Sequence, residues 1–243
     1  VGGMSTVNKF GSNPAVSTSY APVAIGGVYQ TPTPSNATTL RVKAGGNAND
    51  TAAGSGARAV TLQGLDETGA FAEETLATAG ASASSATTTT FMRLFRFFVS
   101  DSGTYAAATA GSHSGAIVIE NGAGGTDWGT ISATGFPRGQ SEIAAYSVPN
   151  GYTGYVTAMD LAVEALKPVD VIFFVRSNIL DETVGYPAMR TQQRFTGIQD
   201  RAVKSFAYPM KYTGPCDIGF LGKVSTGTAE VNGQFDLVLV EGA

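Results

Sequence analysis

The chain has 243 residues, a net charge of −4, 31 glycines, one cysteine, one histidine and only 14% charged residues. That length holds one large domain or two small ones, with a sizeable core either way. The acidic balance lacks the basic footprint of a general nucleic-acid binder, the lone Cys216 excludes an internal disulfide framework and fits a reducing compartment, and no apolar run approaches the ~18 residues of a transmembrane helix.

Residues 1–39 are poor in charge and rich in Gly, Ser, Thr and Pro. Tyr29-Gln-Thr-Pro-Thr-Pro-Ser35 is expected to be extended, because each proline excludes its predecessor from the helical region. We expect an extended N-terminal arm or a long surface-hugging segment here, with Phe10, Tyr20 and Tyr29 as contact residues; a disordered tail is the alternative. The start lacks the basic and apolar regions of a signal peptide, and its first residue is valine, so we expect a start that was removed or lies upstream.

Leu40–Lys43 reads as a short strand and 44–56 as a loop. Val60 and Leu62 alternate with Thr61 and Gln63; Asp66-Glu-Thr-Gly69 is a turn, and Phe71–Leu76 returns as a hairpin. Ala77–Thr90 is low in complexity and reads as a loop or a threonine-rich approach to a strand. Phe91–Val99 is the most hydrophobic short run and carries Arg93 on one face and Arg96 on the other. Arginines there either snorkel to solvent or mark an interface strand. Ala116–Glu120 is a strand, Asn121–Gly125 a glycine-rich turn, and Trp128 and Ile131 are core anchors.

Ile143–Asn178 organises the rest: three consecutive strands with a Pro149-Asn150-Gly151 turn after the first. Tyr155, Thr157, Met159, Leu161 and Val163 share one face of the second. Val169, Val171, Phe173 and Val175 share a face of the third, whose middle is apolar on both sides, as in a central sandwich strand. A short helix over Met159–Leu166 competes, but the β-branched and aromatic flanks favour strands. From Ile179 to Thr213 alternation fades. Arg190, Arg194, Arg201, Lys204 and Lys211 face one acidic residue, Asp200. A long connection of this kind is functional or packs on a neighbour, and we read Arg190, Arg194 and Arg201 as a subunit contact in preference to a ligand site, with a solvated loop as the alternative. Asp217–Val224 and Gly233–Val240 close the sheet after an Asn232-Gly233 turn. The domains expected are therefore the arm (1–39), a β-rich region (40–140) and a C-terminal β-sandwich (141–243). The fold class is all-β, an antiparallel sandwich or jelly-roll-like body.

No catalytic, cofactor-binding or metal-binding constellation is legible. One histidine excludes a multi-histidine metal site within one chain, and no nucleophile elbow, P-loop or dinucleotide fingerprint occurs. Cys216 reads as a buried structural thiol. Asn47-Ala-Asn-Asp50 has calcium-friendly oxygens without the EF-hand spacing. Two carboxylates out of 19 acidic residues could converge as in a glycosidase, but Glu73/Glu74 and Asp181/Glu182 would each split between faces on strands. The sequons at Asn36 and Asn49 mean little without a secretory signal.

Val7-Asn-Lys-Phe-Gly-Ser-Asn-Pro14, Leu40–Asn47, Gly56–Asp66, Glu73-Glu-Thr-Leu76, Thr88–Val99 and Ala145–Tyr152 follow one another in an order that resembles virion structural proteins of tailed bacteriophages, notably head decoration or cement proteins of marine short-tailed phages. The resemblance spans most of the chain and rests on the order of strand-and-turn segments. It implies an all-β, often trimeric protein on the particle surface, made in the host cytoplasm. It further implies the major capsid protein as partner, with no membrane, nucleic acid, cofactor or enzymatic residues expected. A receptor-binding fibre or spike, or a tail-associated protein, is the alternative, and it would cluster Tyr105, Trp128 and Tyr186 on one exposed loop end.

Overall fold

The computed structural model of the chain describes residues 3–28, 33–104, 112–133, 139–164, 166–183 and 185–242. Their strands are β1 (Met4–Val16), β2 (Ala21–Pro22), β3 (Leu40–Val42), β4 (Ala57–Asp66), β5 (Phe71–Ala77), β6 (Phe91–Ser102), β7 (Ile117–Asn121), β8 (Asp127–Ile131), β9 (Ala145–Val148), β10 (Tyr152–Val163), β11 (Val169–Ser177), β12 (Arg190–Ile198), β13 (Arg201–Thr213), β14 (Cys216–Val224) and β15 (Ala229–Glu241). Every strand pair is antiparallel. The chain folds as two units, one of Val1–Ala24, Thr68–Ala70 and Glu142–Ala243, the other of Ile25–Glu67 and Phe71–Ser141.

The first unit is a jelly roll. One sheet runs β1-β15-β10-β13 and the other β12-β11-β14, with β2 and β9 both pairing the far side of β14. Counting β2 and β9 as halves of one strand, the order along the two sheets is 1-8-3-6 and 2-7-4-5, the double Greek key. The halves join at Phe220: Val23 N–H donates to its carbonyl at 3.2 Å, and its own N–H donates to the Ala144 carbonyl at 3.0 Å. The second unit is therefore inserted in mid-strand. Residues 4–16, expected in an arm, are instead the edge strand β1, paired with β15 along its length. Gly11 allows this, since a Cβ there would collide with Ala144 N and the Val23 carbonyl.

The two sheets meet through aromatic rings. Phe173 of β11 lies 5.0 Å from Phe220 of β14 and 5.3 Å from Phe235 of β15, both edge to face. Val169, Val171, Phe173 and Val175 are buried, as their alternation predicts. On β10 the alternation breaks. Val156 is buried together with Met159, Leu161 and Val163, while Tyr155 is only half-buried. A register shift between Val156 and Ala158 inserts one residue and swaps the faces. Asn232 and Gly233 lie within β15 and not in a turn. A Cβ on Gly233 would come 3.0 Å from the Phe220 ring and 3.2 Å from Leu161, so glycine here serves core packing. The long connection expected over 179–213 holds β12 and β13; they lack a visible period because both are edge strands with most residues exposed.

The second unit has two three-stranded sheets, β3-β7-β8 and β5-β4-β6. Leu40, Leu62, Leu65, Phe91, Met92, Phe97, Ile119, Trp128 and Ile131 are buried in it. The Ser/Thr-rich segment 78–90 is a loop that supplies β3 with hydrogen bonds. Ser84 Oγ accepts from Val42 N–H at 2.9 Å and Thr87 Oγ1 from Leu40 N–H at 2.9 Å, satisfying buried backbone that no neighbouring strand reaches.

Candidate functional site

The β12–β13 edge of the jelly roll gathers the basic residues of 190–211. β12 pairs only with β11 and β13 only with β10 among the described residues, so each leaves one side open. Arg190, Arg194, Arg201, Lys204 and Lys211 are all exposed. Arg190 Nη2 donates to Ser177 Oγ at 3.0 Å. β13 is interrupted: Ser205 pairs with Ala158 and Met210 with Val156, so Phe206-Ala-Tyr-Pro209 bulges out of the ladder. Tyr208 is 90% exposed at its crest and Val203 60% exposed beside it. Lys204 Nζ lies 5.6 Å from the Phe206 ring centroid. Proline and a bulge on an edge strand block open-ended strand addition, yet here they also display an aromatic side chain.

Arg201 holds Asp160 of β10 with two bonds, Nε to Oδ1 at 2.9 Å and Nη2 to Oδ2 at 2.5 Å, and Gln234 Nε2 donates to the same carboxylate at 3.3 Å. The Arg201 guanidinium holds the Asp160 carboxyl below the usual carboxylate range, against a smaller opposing effect of burial. These groups line an open depression of about 490 Å³ with Phe10, Glu142 and Asn232. An acid of a glycosidase pair needs a raised pKa, so Asp160 is tuned in the wrong direction for that role.

The expected contact residues are dispersed. Arg190, Arg194 and Arg201 share the β12–β13 edge, and Phe10 and Arg201 both line the depression. Tyr20 is exposed, with Lys223 Nζ 4.9 Å above its ring. Tyr29 lies outside the described residues. Arg93 and Arg96 belong to the second unit. Arg93 is 1% exposed, with Nη1 donating to the Met92 carbonyl at 3.0 Å, so it neither snorkels nor presents a surface. Arg96 is half-buried. Trp128 is buried, as a core anchor should be, which removes it from any exposed aromatic cluster; Tyr186 is exposed and Tyr105 lies outside the described residues. Tyr208 and Val203 were not singled out from the sequence, although the Tyr-Pro pair in a stretch without alternation is the signal that marks an edge.

Chemistry-bearing side chains elsewhere are engaged structurally. His113 Nδ1 is 3.1 Å from Ser112 Oγ and its Nε2 2.9 Å from the Ser132 carbonyl. Asp50 is buried; Oδ1 accepts from Ala57 N–H at 2.8 Å and Ser114 N–H at 2.9 Å, and Oδ2 from Gly115 N–H at 2.8 Å. The calcium-friendly Asp50 oxygens noted in the sequence are thus used by backbone N–H groups of the adjoining strand start and of the loop before β7. Burial pushes the Cys216 thiol up to about 12, with Asp217 adding to it, so it is an unreactive core group. Among the described residues no three His, Cys, Asp or Glu side chains are grouped to hold a metal ion, and no helix is long and apolar enough to cross a membrane.

No protein-family profile matches the chain, and no curated protein does. Among solved structures, infectious bursal disease virus strain Gt matches with a TM-score of 0.26 and 8% identity, over 99% of this chain and 73% of that one. The infectious bursal disease virus VP2 subviral particle matches at 0.22 and 10%, over 99% and 72%. An isomalto-dextranase of Arthrobacter globiformis T6 complexed with panose matches at 0.23 and 15%, over 97% and 35%. No residue role is carried over from likenesses at this level.

Proposed function

We propose that this chain is a virion structural protein, a decoration protein on the surface of an assembled phage head. It binds the major capsid protein, associates with itself as a homotrimer, and acts without a cofactor or enzymatic chemistry. The observation that carries the reading is the β12–β13 edge, where five basic side chains, Val203 and Tyr208 stand exposed around an open strand. Arginine and tyrosine on one exposed surface are the residues that anchor protein contacts. The order of strand-and-turn segments along the chain supports the same reading, and the jelly roll adds fold-level analogy alone, since that fold recurs in capsid and lectin modules.

A decoration protein stabilises the mature shell by occupying contacts that only the mature lattice offers, a mass-action effect. Exposed Tyr186, Met189, Arg190 and Arg194, around the start of β12, are the shell-facing group. Two measurements test this. Mass-spectrometric counting in purified particles should give a copy number comparable to that of the major capsid protein; a ratio of a few per cent moves the chain to the tail or a vertex and favours the fibre reading. The double variant R190E/R194E should stay folded and lose co-sedimentation with shells; undiminished binding overturns the assignment of β12.

A further inference from the structure

The sheet β1-β15-β10-β13 is polar in charge from one edge to the other. At the β13 edge Arg201, Lys204 and Lys211 are exposed and no acidic residue occurs in the strand. Asp160 of β10 neutralises Arg201, which leaves Lys204 and Lys211 without a carboxylate of their own strand. On the opposite side, β1 has one charged residue, the buried Lys9, while β15 exposes Glu230, Asp236 and Glu241. Apolar surface accompanies both charges. Tyr208 and Val203 stand out from β13, and Met4 is 60% exposed on β1. Between β1 and β15 lies an open depression of about 240 Å³, lined by Thr6, Val7, Asn8, Thr157, Asp236, Leu237 and Val238.

We propose that the β13 edge of one copy docks on the β1–β15 side of a second copy of this chain, with the Tyr208 ring seated in that depression and Lys204 and Lys211 drawn to the acidic strand β15, where Asp236 lines the depression and Glu230 and Glu241 add negative charge towards the two ends. This rests on the reading that the chain self-associates and specifies how. A two-fold β13-to-β13 contact would set lysines against like charges, which costs free energy and selects against that arrangement. The contact is therefore heterologous, so it closes into a ring or continues as an open array. The bulge at 206–209 rules out a continuous ladder between copies, so side chains carry the contact and Tyr208 is its anchor. The phenol fits the site chemically: its ring meets Val238 and the Thr6 and Thr157 side chains on the outer face, and its hydroxyl can donate to the Asp236 carboxylate, which already accepts from Asn8 Nδ2 at 2.7 Å.

The test is the oligomeric state of the full chain by sedimentation velocity, over a range of concentrations in low and in high salt, beside its co-sedimentation with shells. An oligomer that dissociates as salt rises is expected. Y208A should weaken association about tenfold or more while leaving the circular dichroism unchanged. K204E/K211E and E230K/D236K/E241K should each be folded and monomeric alone, and should associate when mixed, because the mixture restores one complementary contact per pair. A wild-type chain that stays monomeric at every concentration in low salt overturns the proposal. So does an oligomer that both reversed variants and Y208A leave intact; binding of that oligomer to shells would still uphold the decoration reading. Loss of shell binding with the charge-swap result intact would instead overturn the decoration reading and leave the self-contact standing.

Discussion

Strand β11 and the β12–β13 edge belong to the same jelly roll and differ in nearly every physical respect. β11 lies between two strands and buries Val169, Val171, Phe173, Phe174 and Val175. β12 and β13 each have one neighbour and expose most of their residues, with basic side chains where β11 has aliphatic ones. Burial on a pleated sheet forces a period of two on the side chains, because successive residues point to opposite faces. An exposed edge feels no such constraint and keeps only turn, proline and charge signals. Stability should therefore concentrate at β11 and association at β13.

The largest effect that could break this comparison is Phe173→Ala, which empties the meeting point of Phe220, Phe235 and Tyr212. Equilibrium denaturation should show a loss of about 3–5 kcal/mol; an unchanged melting temperature would remove β11 from the core. Next comes Asp50 in the second unit, where burial acts on a polar group. Asp50→Ala leaves three N–H groups without their acceptor, at about 1–3 kcal/mol for each that stays unsatisfied. Asp50→Asn should lose less, since one oxygen can still accept from Ala57 and Ser114. Equal losses for the two variants would mean that the carboxylate charge, and not its geometry, matters.

Gly233→Ala sharpens the contrast within β15 itself. Its Cβ would press on Phe220 and Leu161, so a cost of about 1–3 kcal/mol is expected from overpacking, readable as a shifted denaturant midpoint. If the alanine chain were as stable as the parent, the glycine would have no packing role. The smallest effect belongs to the edge. Asp160→Asn loosens the Arg201 clamp, worth at most about 1 kcal/mol for a pair with one partner largely exposed. Because the folded-state pKa of Asp160 is lowered, its contribution is complete above the unfolded carboxylate value near 4 and is lost as pH falls through the lower folded value. The stability difference between parent and variant should accordingly shrink in acid. A difference that grows below about pH 4 would contradict the assignment.

Several elements are legible in the sequence alone, and each rests on local chemistry. The β4–β5 hairpin follows from alternation around Asp66-Glu-Thr-Gly69, whose glycine takes φ +76°. The three strands 145–177 follow from the Pro-Asn-Gly turn and two apolar periods. Elsewhere local chemistry misled. Asn232-Gly233 reads as a turn by residue type, yet Gly233 is there because Phe220 fills the space a side chain would need. Residues 4–16 read as an arm because Gly, Ser, Thr and Asn dominate them; their strand state is set by β15, 228 residues further along at Asn8 and Asp236. Of the candidate surface, the basic cluster was visible from composition. The bulge that lifts Tyr208 was not, because it exists only relative to the register of β10.

By itself, then, the sequence determined the all-β class, the central strands and the charge carried by 190–211, since alternation, turn residues and charge are written one residue at a time. Only the tertiary structure decided that β1 completes the jelly roll, that the second unit interrupts a strand at Ala24 and Glu142, and that the exposed lysines of β13 and the exposed carboxylates of β15 lie on separate strands of one sheet. Those facts depend on which distant segments pair and in what register, and the free energy of pairing is shared between two strands, so neither one's residues can state it alone.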